Sequence, residues 1–275
     1  MIDASTYIQQ LLTAEALRKP LLASVIEFLR LPPGSRGLDA GCGIGLQAEL
    51  LADALGPARR VTGVDILPEL LRYGKDRIAK TGPADRIRFC QAGVNRLPYA
   101  DNSFDWAWSA DCIGYPAGEL APVLDELIRV VRPGGRICLL AWTSQQVLPG
   151  YPLLEARLNA TCSSYRPYLE GKPPDQHFLR APHGFRRAGL EDVQAKTFVR
   201  DIQAPLTEGE RAALLSLFEM LWGQPQPDVT PEDWQAYRGL CAPASPGLIL
   251  DLPDYCAFFT YSLFTGSVPR NKPGA

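Results

Sequence analysis

Apolar residues recur at helical spacing through the start of the chain, at Leu11, Leu12, Ala16, Leu17, Leu21, Leu22, Val25, Ile26 and Leu29. Pro20 predicts the start of a second helix there, since proline suits a first helical turn. The run Leu31-Pro32-Pro33-Gly34-Ser35 then stops it. Beyond this point short apolar runs alternate with amphipathic ones. Strands are expected at Arg36–Ala40, Arg60–Val64, Ile87–Ala92, Phe104–Ala110 and Ile137–Trp142. Between them lie helices bearing Leu46, Leu50, Leu51, Ala54 and Leu55, then Leu67, Leu70, Leu71 and Ile78 behind Pro68. The clearest stripe follows, at Leu120, Val123, Leu124, Leu127, Ile128 and Val131, and Arg132-Pro133-Gly134-Gly135 reads as a turn.

The later part is less regular. A helix is expected within Tyr151–Tyr168, a loop at Gly171–Pro174, and a helix ending at Phe185–Gly189. A strand follows at Val193–Gln203 and a helix at Thr207–Trp222, with Glu208 and Glu210 where the helix dipole favours acids. A proline-rich stretch covers Gln224–Pro231, and Tyr255–Gly266, rich in aromatic and β-branched residues, reads as a last strand. Alternating strands and helices predict a doubly wound α/β fold: a mostly parallel seven-stranded sheet with helices on both faces. The expected organisation is a single domain over 1–275. Its parts are an N-terminal helical lid over 1–30, a cofactor-binding half over 31–146, and an acceptor-side half over 147–275 with a helical insertion at about 207–254.

Composition narrows the partners. Among 275 residues, 28 basic and 30 acidic side chains leave a net charge of −2, so no basic excess points to nucleic acid or an anionic membrane. No apolar run reaches the roughly 18 residues of a membrane span. Met1–Gln10 lacks the basic start of a secretory signal. The 7 cysteines form no CxxC pair and only His177 and His183 are present, so no metal site is expected. A cytoplasmic protein with reduced thiols is the reading.

The chemistry lies in Asp39-Ala40-Gly41-Cys42-Gly43-Ile44-Gly45, between a strand and a helix. Glycines there let the backbone turn sharply and approach a ligand, and helix N-terminal amides face the same crevice. Asp65 ends the next strand, placed to accept both hydroxyl hydrogens of a ribose. The dinucleotide pattern G-x-G-x-x-G is not met, because Leu46 stands where its third glycine would. No Gly-Lys-Ser/Thr follows the glycines, so a P-loop is absent.

Four segments in order carry a resemblance. Leu38–Gly45, Val64-Asp65, Leu97–Asp105 and Leu127–Arg136 are similar to motifs of class I S-adenosylmethionine-dependent methyltransferases, with the small-molecule branch of ubiquinone and sterol methyltransferases fitting best. Residues 143–275 match only in general layout. The resemblance implies S-adenosyl-L-methionine as cofactor, S-adenosyl-L-homocysteine as product, and in-line displacement onto a small, partly apolar acceptor. It implies that Asp39, Gly41, Cys42, Gly43 and Gly45 lie beside the methionine part, that Asp65 holds the ribose, and that Ile66 meets the adenine. Gly93 and Val94 occupy the place of the family's acidic adenine-binding pair. Gly93 departs from the usual Asp, leaving the Val94 amide or Asn95 to serve. Ser109 falls in the cofactor set and Asp111 beside the methyl-transfer site, with Tyr115 on the acceptor side.

Other residues read two ways. Tyr7 either closes over the cofactor or packs in the core; Arg18 either meets the cofactor carboxylate or is a surface charge. His177 and His183 read as surface or structural residues, and no general base is identifiable. Trp222 and Trp234 either join the core or line an apolar acceptor pocket. Cys112 and Cys162 leave an arsenite-type methyltransferase as one alternative; a protein that binds the sulfonium cofactor without transferring its methyl is another, and a nicotinamide-dependent oxidoreductase a third, weakened by Leu46. The Asn-Pro-Pro-Tyr motif of amino-group and DNA methyltransferases is absent after the fourth strand, where Asp111-Cys112-Ile113-Gly114 stands. Neither the acceptor atom nor the oligomeric state is legible.

Overall fold

A computed structural model describes residues 3–56, 60–82, 84–115, 119–162, 165–224 and 228–270. Residues 225–227 of the proline-rich stretch, and 163–164 of the helix expected within Tyr151–Tyr168, lie outside the described residues. In chain order the elements are α1 (Ala4–Leu29), β1 (Gly37–Ala40), α2 (Leu46–Leu55), β2 (Val61–Asp65), α3 (Pro68–Thr81), β3 (Ile87–Gln91), β4 (Phe104–Ala110), α4 (Ala121–Val130) and β5 (Val131–Gln146). Then come α5 (Pro152–Thr161), α6 (Arg166–Leu169), α7 (Ala181–Arg187), β6 (Glu191–Gln203), α8 (Glu208–Trp222), α9 (Pro231–Cys241) and β7 (Cys256–Ser267).

The seven strands form one sheet in the order β3-β2-β1-β4-β5-β7-β6. The first five are parallel, with Leu38 opposite both Thr62 and Ala107 and Thr62 opposite Arg88. The last strand runs against its neighbours. Thr143 meets Thr260 and the Gly134 amide meets the Val268 carbonyl, while Thr197 meets Ser262 and the Ala204 amide meets the Tyr255 carbonyl. The sheet is therefore mostly parallel with an antiparallel hairpin, as the doubly wound expectation holds. Strand order reverses direction between β1 and β4. That switch point opens a crevice beyond the carboxyl ends of both strands, the usual place for a ligand in such sheets.

Two local expectations are corrected. Pro20 starts no new helix; α1 runs through it. Proline removes one backbone bond there, but Leu17, Leu21, Leu22, Val25 and Ile26 around it are all buried, and that burial outweighs the missing bond. Likewise Arg132-Pro133-Gly134-Gly135 does not precede the fifth strand but interrupts it. Val131 already pairs with Phe104 before the register jumps to Arg136 opposite Trp106. The glycine turn is an excursion inside a ladder, with Gly134 at φ 76°.

The chain divides into two compact units. One comprises Met1–Leu21, Trp142–Pro174 and Phe198–Tyr261; the other comprises Leu22–Ala141, Asp175–Thr197 and Ser262–Ala275. In the first unit, α8 begins with a capping box, Thr207 and Glu210 each satisfying the other's backbone amide. Trp222 and Phe218 stack at 5.9 Å, Tyr237 meets Trp222 edge-on, and the Tyr237 hydroxyl donates to the Phe218 carbonyl. Buried Glu155 accepts the Val147 and Leu148 amides, and Arg157 grips Asp233 with two bonds at 2.6 and 2.7 Å.

The second unit holds the crevice. Its core joins Leu38, Val64, Ala107 and Leu139 of the strands to Leu124, Leu127 and Val130 of α4 and to Phe178 and Phe185. The loop before β4 is tied to α4 by one guanidinium. Arg129 donates to the carbonyls of Leu97 and Tyr99 and to Asp101 and Glu126, while Glu126 accepts the Leu97 amide at 2.6 Å. This explains why the Leu97–Asp105 and Leu127–Arg136 segments go together: the second supplies the donors that the first needs.

Candidate functional site

The glycine turn is held by β2. The amides of Gly41 and Cys42 both donate to the Val64 carbonyl at 2.8 and 2.9 Å, and the Gly43 amide donates to Asp65 Oδ2 at 2.9 Å. Asp65 Oδ1 accepts the Leu67 amide at 3.0 Å. The carboxylate is thus oriented by two backbone donors, and each oxygen keeps a lone pair for a further one. Gly41, Gly43 and Gly45 all have left-handed φ, at 83°, 54° and 79°. Space excludes side chains too. A Cβ on Gly41 would collide with the Cys112 thiol, and one on Gly45 would come within 2.6 Å of the Phe89 ring.

Asp39, one residue before the end of β1, has 1% of its surface exposed, and its Oδ2 has no hydrogen-bond partner among the described residues. Burial, and secondarily the Asp65 carboxylate, push its carboxyl up to about 8. The buried Ser109 hydroxyl, at the end of the adjacent β4, is likewise without a partner among the described residues. Two orphaned polar groups at neighbouring strand ends mark a place where a polar ligand would satisfy them. Burial, then Asp39 and Asp65, keep the Cys42 thiol protonated. For Cys112, burial of the sulfur's surroundings followed by Asp65 and Asp39 raises the thiol to about 11.

Past Asp65, Ile66 is 66% exposed, an apolar side chain left to solvent at the mouth of the crevice. Gly93 follows β3, and the Asn95 side-chain oxygen lies 2.9 Å from where a Gly93 Cβ would be. Asn95 therefore occupies the space an acidic residue at 93 would use. Val94 packs against the core. Asp111 follows β4 in a left-handed conformation, φ 50°, with its amide donating to the Leu140 carbonyl. Such backbone strain in a residue other than glycine concentrates at functional positions.

The second unit therefore gathers Asp39, Gly41, Cys42, Gly43, Gly45, Asp65, Ile66, Gly93, Val94, Ser109 and Asp111 around the ends of its parallel strands. Tyr115 also belongs to this unit, but its ring packs edge-on to Phe178 at 5.9 Å. Tyr7 is on α1 in the first unit and is 39% exposed. Arg18, also there, places its guanidinium over the Tyr261 ring. Trp222 is buried and donates to Asn159, and Trp234 stacks on Tyr237 at 5.0 Å; both serve packing in the first unit. His177 Nδ1 accepts the Leu179 amide at a helix cap, and His183 is exposed on α7. The closeness of Cys112 to Gly41 escaped sequence reading. Its only signal was its position just past the strand neighbouring β1.

Comparison with known proteins agrees with this geometry. Residues 38–135 match the family model described as a methyltransferase domain. The chain is 33% identical over 147 residues to the ubiquinone/menaquinone biosynthesis C-methyltransferase UbiE of Ectopseudomonas mendocina, covering 54% of this chain and 55% of that protein. It is 36% identical over 112 residues to an arsenite methyltransferase of Halobacterium salinarum, covering 41% of this chain and 28% of that one. The chain thus spans about half or less of the length of these curated relatives. Among solved structures, a SAM dependent methyltransferase from Aquifex aeolicus superposes with TM-score 0.54 at 15% identity, covering 98% of this chain and 100% of that one, which is a likeness of fold.

Proposed function

We propose, from the match of residues 38–135 to the family model described as a methyltransferase domain, that this chain binds S-adenosyl-L-methionine at the β1–β4 crevice and directs its methyl group to a small, partly apolar molecule. The observation that carries the reading is the Asp65 carboxylate, locked by the Gly43 amide at 2.9 Å beside three left-handed glycines. A ribose diol needs a fixed acceptor at this point and a backbone that admits close approach. The residues present fit the cofactor: two orphaned polar groups, a turn with no room for a side chain at Gly41 and Gly45, and exposed Ile66 for a flat apolar base.

When bound, S-adenosyl-L-methionine supplies an electrophilic methyl that an in-line nucleophile displaces, leaving S-adenosyl-L-homocysteine. The chain's own contribution is placement, which accounts for much of the rate in a bimolecular step. Asp65 would hold the ribose hydroxyls through its remaining lone pairs. Gly41, Cys42, Gly43 and Gly45 would line the methionine part, with Asp39 and Ser109 beneath it. Ile66 would cover one face of the adenine, and the Gly93–Asn95 turn would meet its edge, Asn95 serving where the family has an acid. Asp111, held in a strained conformation past β4, and Tyr115 would border the acceptor. A general base is required only for an acceptor that is protonated at working pH.

Calorimetric titration of the whole chain with S-adenosyl-L-methionine, and separately with NADH, tests this. Binding of the first, absent for NADH and lost in Asp65→Ala, is expected. A folded wild-type protein that binds no S-adenosyl-L-methionine overturns it.

A further inference from the structure

A cavity of about 590 Å³ opens within the second unit, at the end of the sheet remote from the glycine turn. Arg136, on its floor, lies opposite Trp106 near the amino end of β4, whereas the crevice lies beyond the carboxyl end of that strand. Strand register sets the rest of the floor. The Val268 amide donates to the Gly135 carbonyl at 2.8 Å, which brings Arg136 beside Ser267. Thr197 meets Ser262 at 2.9 Å across β6 and β7, and counting along that antiparallel pair sets Gln194 opposite Thr265 and Asp192 opposite Ser267. Alternate residues of a strand share a face. Arg136, Ser267 and Asp192 therefore make one polar row, with Thr265 and Gln194 in the next, and all five line the cavity. The wall is the end of α1. Arg136 donates to the Leu29 carbonyl at 3.0 Å, which anchors its guanidinium there, and Arg30, left-handed at φ 46°, borders the same space. Phe28 adds a partly exposed ring, with the Lys196 ammonium 3.8 Å from its centroid.

Among the described residues, Arg30, Arg136 and Asp192 form no ion pair. Asp192 stands two strands away from Arg136, about 10 Å at the usual strand spacing. The charges of the cavity are thus sorted along its floor: two guanidiniums at one end, a carboxylate at the other, and hydroxyl and amide groups between. Guanidinium forks suit the oxygens of a phosphoryl group, and a dianion matches two of them where one carboxylate matches one. The far end would repel a bare dianion, but a carboxylate, an amide and two hydroxyls exchange hydrogen bonds with the hydroxyls of a ligand. We propose that this cavity binds a small hydroxyl-bearing phosphate monoester, of the sugar-phosphate class, with its phosphoryl group between Arg30 and Arg136 and its hydroxyls over Ser267, Thr265, Gln194 and Asp192. The volume falls within the roughly 300–1,000 Å³ of small-molecule sites. No residue of this site belongs to the cofactor crevice, so it stands independently of the cofactor reading.

Calorimetric titration of the whole chain with glucose 6-phosphate, inorganic phosphate, glucose and citrate tests this. Glucose 6-phosphate should bind with Kd below about 1 mM. Inorganic phosphate should compete with it more weakly, a reading in wild type that depends on no variant's folding. Arg30→Ala should weaken the ester at least about tenfold, and Arg30→Lys, which keeps the charge and loses the fork, should recover part of that loss. Asp192→Asn should act with opposite signs on two probes: the ester weakens and inorganic phosphate tightens, each about threefold. Asp65→Ala should leave ester binding unchanged, and Arg30→Ala should leave the affinity for S-adenosyl-L-methionine unchanged, which separates the two sites. No binding of the ester by folded wild type overturns the proposal. Ester binding that survives both Arg30→Ala and Asp192→Asn, or that is lost in Asp65→Ala, places the ligand elsewhere and overturns it too. Citrate or glucose binding as tight as the ester removes the phosphoryl group from the argument and is equally fatal. Failure of S-adenosyl-L-methionine to bind would leave this site untouched, so the two readings fail separately.

Discussion

Replacing Asp39 by Asn tests how the buried carboxyl affects stability, without any ligand. The two side chains are nearly the same shape, so packing changes little; what changes is a proton. In the unfolded chain the carboxyl titrates near 3.8, and in the folded protein near 8, because burial penalises the charge and Asp65 adds repulsion. The sign follows from proton counts. Between these values the folded state holds a proton that the unfolded state has lost, so wild-type stability falls as pH rises, and the fall is complete once the folded group ionises. The slope is about 1.4 kcal/mol per pH unit. From pH 4 to pH 7 this sums to roughly 4 kcal/mol, a large part of the 5–15 kcal/mol typical of a domain. Asn has no such proton.

Urea unfolding of both proteins at pH 5, 6, 7 and 8 is the assay. The advantage of Asp39→Asn should widen by about 1.4 kcal/mol per unit up to pH 7 and flatten near pH 8. Asp65→Asn, measured alongside, should retain most of the wild-type slope, since burial is the larger cause and the neighbouring charge the smaller. Parallel profiles for wild type and Asp39→Asn would refute the reasoning. They would mean that the carboxyl is ionised in the folded state at all these values.

Two other substitutions probe the same unit. Arg129→Ala removes the donor shared by the Leu97 and Tyr99 carbonyls and by Glu126 and Asp101. It should cost about 2–3 kcal/mol, read by urea unfolding, and it should erase an acid sensitivity. Arg129 holds the Glu126 carboxyl below its ordinary value, so that contribution is present above pH 4.5 and is lost as pH falls through the lowered value. Asp111→Gly should raise stability by about 1 kcal/mol by relieving the φ of 50°, while lowering turnover of whatever acceptor is found; thermal unfolding and a methyl-transfer assay check the two arms.

Much of the architecture is legible because its signals are local. The stripe Leu120–Val131 marks α4 within one residue at each end, and the apolar run bounded by Ser103 and Asp111 marks β4 as Phe104–Ala110. The glycines and Asp65 are legible as a site because each carries its chemistry in its own residue type and spacing. What the sequence hides is pairwise. Pro20 reads as a helix start because the burial that tolerates it comes from the folded surroundings of Leu17, Leu21 and Val25. Gly134-Gly135 reads as a turn before a strand because nothing local reveals that Val131 is already paired. The contact of Cys112 with Gly41, and the Arg129 clamp on Leu97 and Tyr99, join residues dozens of positions apart. Composition also gives no hint that Asp39 Oδ2 lacks a partner among the described residues.

Asp65 ends β2 and Asp39 lies one residue from the end of the adjacent β1; they carry the same functional group and differ in burial and in hydrogen bonding. The first is supplied with two backbone donors, the second leaves an oxygen with none among the described residues. A carboxylate with its donors in place is fixed in geometry, which suits recognition of a neutral diol. The Asp39 carboxyl, deeply buried and beside Asp65, is instead pushed up to about 8. Environment, rather than residue type, divides the two carboxyls. Environment also fills the place left by Gly93, where the Asn95 side-chain oxygen lies 2.9 Å from where a Cβ would be.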